Sequence, residues 1–203
     1  MPAIVNTAPS VSSGPSVVPD RSGLARSATV VGIVATVFVA AIFGFFYAWV
    51  CSTMWGLGDA DPRVAIEAMQ AMNASVRNPV FFPAFFLTPV VLAAAGVVAW
   101  LTRSNRSAAW FLAASAVYLV GGVILTAAVN LPLNADLADT VVPASIDEAR
   151  VIWDDYSGSW QIANISRTVT SGISLVLALI GLVSLRKPAA DARPASPGLR
   201  TGA

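Results

Sequence analysis

The chain reads as all-α: an integral membrane four-helix bundle with a short extracytoplasmic helix and an extracytoplasmic extension of the fourth helix. Scarce charge, its uneven spacing and the apolar character of the gaps predict this. Hydrophobic residues fill 56% of the 203 positions and charged residues only 11%, against about 25% in soluble domains. Charge-free stretches separate Arg26 from Asp59, Arg77 from Arg103, Arg106 from Asp136 and Arg167 from Arg186. Each holds an apolar run of about 20 residues, enough to cross roughly 30 Å of hydrocarbon as a helix. The predicted spans are 28–51, 80–102, 107–129 and 168–185.

Residues 1–27 hold Pro, Ser and Val without periodicity, and 188–203 are rich in Pro, Ala and Arg. Both read as disordered cytoplasmic tails flanking a membrane domain at 28–187. A cleaved signal peptide is the competing reading of the first apolar run. That run is longer than an h-region of about 7 to 15 residues and lacks a clear cleavage site, so it is taken as an uncleaved span. Its far end carries Tyr47, Cys51, Ser52 and Trp55, with Gly44 on nearly the same face. Gly44 predicts close approach of another helix, and Tyr and Trp at this level also serve as interfacial anchors.

Asp61-Pro62 predicts a helix start, with Asp61 as N-cap and Pro62 in the first turn. Met69, Met72 and Val76 then share one face, and Gln70, Asn73 and Arg77 another, so this helix lies over the bundle with its methionines down. Its simplest role is to cap the bundle. Span two opens with Phe81, Phe82, Phe85 and Phe86 around Pro83 and Pro89. The prolines shape packing by freeing carbonyls for neighbouring helices, or the aromatics line a ligand pocket. Span three ends in Asn130-Leu131-Pro132-Leu133-Asn134, where proline predicts a helix stop and the amides cap loose backbone groups. Asn78, Asn164 and Arg167 reach the same depth.

Trp153, Tyr156, Trp160, Asn164 and Arg167 recur at helical spacing, so one helix gathers them on a single stripe. Arg167 is the last charge before span four, where water gives way to hydrocarbon. Either it snorkels to the interface, or it belongs to a site. Under the four-span topology one side carries Arg21, Arg26, Arg103, Arg106, Arg186, Lys187, Arg193 and Arg200 with only Asp20 and Asp191, for a net +6, and the other side nets −5. The positive side is cytoplasmic by the positive-inside rule, with both termini on it, in a multi-pass protein of the plasma membrane. Histidine is absent and Cys51 is the single cysteine. Imidazole-ligated metals, intramolecular disulfides and Cys-x-x-Cys redox chemistry are thereby excluded; a metal site of carboxylates alone stays open as the weaker alternative, and no metal or other cofactor is expected.

Four blocks in order then resemble the anthrone-oxygenase-like membrane family, many bacterial members of which are known only as a domain of unknown function. They are Phe46-Tyr47-Ala48-Trp49, Met69-Gln70-Ala71-Met72-Asn73 with Asn78-Pro79-Val80-Phe81, Asn130-Leu131-Pro132-Leu133-Asn134, and Trp153 through Trp160 to Asn164 and Arg167. The resemblance covers about residues 32–185. It implies a four-helix membrane protein and, as in the fungal members, oxygenation of anthrones to anthraquinones without metal or flavin. In many relatives a histidine follows the asparagine matching Asn164, where this chain has Ile165.

On this reading a positioned base forms an enolate and a guanidinium stabilises the oxyanion before oxygen attacks the carbanion. Arg167, Asn164, Tyr156 and Asp155 are the catalytic candidates, with Asp154 and Glu67 as other bases. Tyr47, Asn73, Asn78, Phe82, Asn130, Asn134, Trp153 and Trp160 are the candidate substrate contacts. The alternative is a non-catalytic membrane protein binding a lipid, quinone or partner helix. Expected partners are the lipid bilayer and a small apolar aromatic or lipid-like ligand, with no nucleic acid and with oligomerisation left open.

Overall fold

A computed structural model of the chain describes residues 21–185. Residues 1–20 of the tail expected at 1–27, the whole of that expected at 188–203, and Arg186 and Lys187 lie outside the described residues. Four helices are long and apolar enough to cross a membrane, and they make this an integral membrane protein. Helix α1 covers Arg21–Ala48 and runs on through a π-helical turn, Trp49–Thr53, to a last turn at Met54–Gly58. Its start lies within the segment read from sequence as tail. Helix α2 is Pro62–Ser75, α3 is Phe81–Leu101 and α5 is Ile146–Val183. Helix α4 begins as Asn105–Tyr118 and passes through two π-helical stretches, Leu119–Ile124 and Thr126–Asn130, into Leu131–Ala138. The four long helices form a ring in which α1 packs on α3, α3 on α4, α4 on α5 and α5 on α1.

Local chemistry accounts for the ends. Asp61 caps α2 by accepting from the Arg63 N–H at 3.0 Å, with Pro62 in the first turn. Ser145 caps α5, and Asp147 and Glu148 sit in that helix's first turn, where the dipole favours negative charge. The α3–α4 turn is tight because Arg103 adopts φ 60° and lets the Ser104 N–H donate back to the Ala99 carbonyl at 2.9 Å. We call that the turn end of the bundle, and the opposite end, under α2, the capped end.

Two apolar clusters hold the bundle. One fills the middle, where Val39, Ile42, Phe46, Phe85, Leu92, Phe111 and Tyr118 are buried. Phe111 sits in a slot made by glycines, for a Cβ on Gly32 or Gly181 would come within 3.0 or 3.1 Å of its ring. Gly121 lets α4 meet Thr170 of α5 more closely than any Cβ allows. Gly44 instead meets nothing within 4 Å, so the close approach expected there does not occur. The second cluster closes the capped end, where Met54, Ile66, Met69, Leu137, Trp153, Tyr156 and Trp160 pack together. Helix α2 lies with its methionines down, as expected, and Gln70 fastens it by donating to the Leu137 and Thr140 carbonyls at 2.7 and 2.9 Å.

Two prolines are accommodated differently. Pro89 leaves the Phe85 carbonyl without its helical partner, and the buried Tyr118 hydroxyl donates to it at 3.0 Å, while Ser115 donates to the Pro89 carbonyl at 2.7 Å. Pro132 does not stop its helix, against expectation. The π-helical stretch before it widens the backbone where the ring would otherwise clash, and the helix continues to Ala138. Asn130 and Asn134 reach α5 instead of capping α4: Asn130 Nδ2 donates to the Trp160 carbonyl at 3.5 Å, and Asn134 accepts from Tyr156 and Trp160.

Candidate functional site

A cavity of about 480 Å³ lies under α2 in the capped half of the bundle. Its floor is set by Phe46, Phe85, Val123 and Thr126, its roof by Met72 and Asn73 of α2 with Val76 just after that helix, and its walls by Phe45, Trp49, Phe81 and Trp160. The walls are a continuous aromatic surface: Phe81 stacks on Phe85 at 5.5 Å, Phe45 tilts against Phe81 at 4.8 Å, and Trp49 meets Trp160 at 5.0 Å. Phe82 and Phe86 of α3 and Ala127 and Leu131 of α4 line the cavity and are themselves exposed. The cavity therefore opens sideways between α3 and α4. Those helices pack along the turn-end half of α4 and only slightly along its π-helical half.

Arg167 reaches into this space from α5. It is only 6% exposed, so the charge is held within the bundle and does not snorkel outward. Its guanidinium lies over Phe46 at 4.6 Å and Trp160 at 5.2 Å, contacts that suit a planar cation. One terminal nitrogen donates to Thr126 Oγ1 at 3.3 Å and the other to Asn164 Oδ1 at 3.1 Å, while Nε has no partner. Among the described residues the one salt bridge joins Arg63 to Asp61, so no carboxylate neutralises Arg167. Asn164 is fully buried and held in turn by the Phe46 carbonyl, to which its Nδ2 donates at 3.4 Å.

The stripe read on α5 is real: Trp153, Tyr156, Trp160, Asn164 and Arg167 are all buried on one face. Of the sequence candidates, Arg167, Asn164, Trp160, Asn134, Asn73 and Phe82 line the cavity together. Tyr156 stands behind Asn134, donating to its Oδ1 at 2.9 Å, and Asn130 stands behind Trp160. Trp153 packs beyond them against Tyr156 at 6.0 Å. Three candidates lie elsewhere. Tyr47 is 51% exposed and stacks on Phe43 along the outside of α1, since its turn of helix carries Phe46 inward. Asn78 is used up as a cap, accepting from the Val80 and Phe81 N–H groups at 2.9 Å. Asp155 is exposed, as are Asp154 and Glu67, so none of these carboxylates faces the cavity. Ile165 points outward, 43% exposed, so a histidine at this position would not face the cavity in this fold.

Sequence reasoning missed Thr126, the hydroxyl that receives Arg167. The available signal was its place four residues before Asn130 and eight before Asn134, one face of one helix. Arg77, read only as part of the polar face of α2, stands at the cavity rim.

The anthrone oxygenase family model matches residues 79–177. The match contains the α3 aromatics, Thr126, Asn134, Trp160, Asn164 and Arg167, and it is narrower than the 32–185 read from sequence blocks. No curated protein and no solved structure matches the chain.

Proposed function

We propose, from the match of residues 79–177 to the anthrone oxygenase family model, that the cavity receives a flat, apolar aromatic compound of the anthrone or quinol type and oxygenates it without metal or flavin. The carrying observation is Arg167, a buried cation with no carboxylate partner among the described residues, on the wall of an aromatic cavity. A buried charge left unpaired is costly, and an anionic oxygen on the ligand removes that cost. Phe46, Phe81, Phe85 and Trp160 supply flat faces for the rings.

Anthrones carry an acidified ring methylene, and holding the enolate oxygen against the Arg167 guanidinium favours its ionised form. No described carboxylate lines the cavity and Tyr156 directs its proton to Asn134, so in this reading the methylene proton leaves to water. Oxygen then attacks the carbanion. The methylene becomes a carbonyl, with one atom of O2 entering the product and the other leaving as water. The lack of a lining base also favours a second reading, in which the cavity binds such a ligand, or a lipid or quinone, without chemistry.

An oxygen electrode tests the first reading. Wild-type protein should consume oxygen with anthrone faster than Arg167→Gln does, after spontaneous oxidation is subtracted. Binding without uptake would leave the second reading standing. The charge asymmetry supports an orientation with the capped end outside the plasma membrane and both termini cytoplasmic. A reporter inserted near Asp139 that reads as cytoplasmic would reverse it.

A further inference from the structure

Asn134 is held in one orientation by two residues of α5. Trp160 Nε1 and the Tyr156 hydroxyl each lie 2.9 Å from its Oδ1. An indole N–H can only donate, so the Asn134 atom facing Trp160 must be the carbonyl oxygen. Turning the amide over would place two donors against each other. The tyrosine hydroxyl in turn accepts from Asn73 Nδ2 at 3.2 Å, which directs its own proton to Asn134. The bonds thus run from α2 through α5 to α4 and reinforce one another. Asn134 Nδ2 has no hydrogen-bond partner among the described residues, yet it is not a buried orphan, and its side chain lines the cavity. Its N–H donors face the open space.

We propose that Asn134 is a specificity-determining residue: its amide nitrogen donates to an acceptor oxygen at the capped-end edge of the ligand, opposite the oxygen held by Arg167. The inference rests on the aromatic occupant argued above and adds what that occupant must carry. Thr126, which receives Arg167, and Asn134 are eight residues apart on α4, at most about 12 Å of helical rise, since the π-helical stretch between them rises less per residue than an α-helix. Two oxygens para to one another on a ring, as on the central ring of an anthraquinone, stand about 5 Å apart, and a hydrogen bond of about 3 Å at each end lets them meet both poles, whereas a ligand with one oxygen meets only one. Tyr156 and Trp160 are positioning residues for the amide.

The test is equilibrium binding to the full chain in lipid nanodiscs, read by tryptophan quenching, of three flat probes: anthracene, with no oxygen, anthrone, with one, and 9,10-anthraquinone, with two on opposite edges. Wild type should bind the quinone best. Asn134→Asp keeps the acceptor for Trp160 and Tyr156 but turns an oxygen toward the ligand. It should weaken the quinone tenfold or more while leaving anthracene within about twofold. Tyr156→Phe, which frees the amide from one of its two anchors, should cost the quinone roughly threefold and anthracene nothing, and it carries the test if the aspartate variant loses its melting transition. Quinone binding unchanged in both variants, or all three probes weakened alike, overturns the role of Asn134. Failure of wild type to bind any probe overturns the aromatic occupant itself.

Discussion

Arg167 shows how much a single side chain can constrain a membrane site. Its guanidinium lies against two rings and donates to a hydroxyl and an amide, and Nε is left over. Lysine could carry the charge but lacks the planar group that stacks on Phe46 and Trp160 and divides its donors between Thr126 and Asn164. Arg167→Lys is therefore expected to lose about 1.5 to 3 kcal/mol of ligand binding while unfolding close to the wild-type temperature. Thermal unfolding measured beside binding decides this, and wild-type binding in the lysine variant would remove Arg167 from the site. The periodic stripe was legible in the sequence because 3.6-residue spacing puts Trp160, Asn164 and Arg167 on one face. Whether the arginine turned inward or snorkelled was not legible, for both fates have the same spacing. The same holds for Tyr47: its neighbour Phe46 faces inward, and which of the two does so depends on where α1 meets α5.

At the scale of elements, the helices are kept continuous by side chains from their neighbours. Tyr118 of α4 donates to the carbonyl that Pro89 leaves open in α3, so Tyr118→Phe should lower stability by about 1 kcal/mol without changing the cavity lining. Denaturation in detergent would show it, and no loss would mean the Phe85 carbonyl has another partner. Helix α2 depends on Asp61, which accepts from the Arg63 side chain as well as its N–H, and these bonds hold its carboxyl down at about 2 from an ordinary 3.8. A depressed acid stabilises the fold fully above its unfolded value and loses that contribution as pH falls toward the folded one. The wild-type melting temperature should therefore fall between about pH 4 and pH 2 by more than that of Asp61→Asn. Equal acid sensitivity would show that this cap does not hold the roof. The Asp61-Pro62 start was readable because capping chemistry is local. The π-helical stretches of α4 were not, since they answer to Pro132 and to the packing of α4 on α5.

For the molecule as a whole, the four spans could be read directly from the gaps between charges, because hydrocarbon excludes charge regardless of fold. The cavity could not, because its walls come from five helices and only their assembly decides that Phe82 lines it and Asn78 does not. The opening between α3 and α4, edged by Phe82, Phe86, Ala127 and Leu131, faces the hydrocarbon beside the bundle. A compound in that position is dissolved in the bilayer, so the concentration the site senses is moles of compound per mole of lipid. At a fixed total amount of ligand, adding empty vesicles to the protein-bearing ones should weaken apparent binding in proportion to lipid added, and data at different lipid loads should fall on one curve when plotted against mole fraction. Equilibrium binding obeys this whichever phase feeds the site, so the route shows in the rate: across a series of ligands the on-rate per aqueous concentration should rise with the oil–water partition coefficient, which thereby becomes part of the specificity, and an on-rate independent of that coefficient would mean a site fed from water.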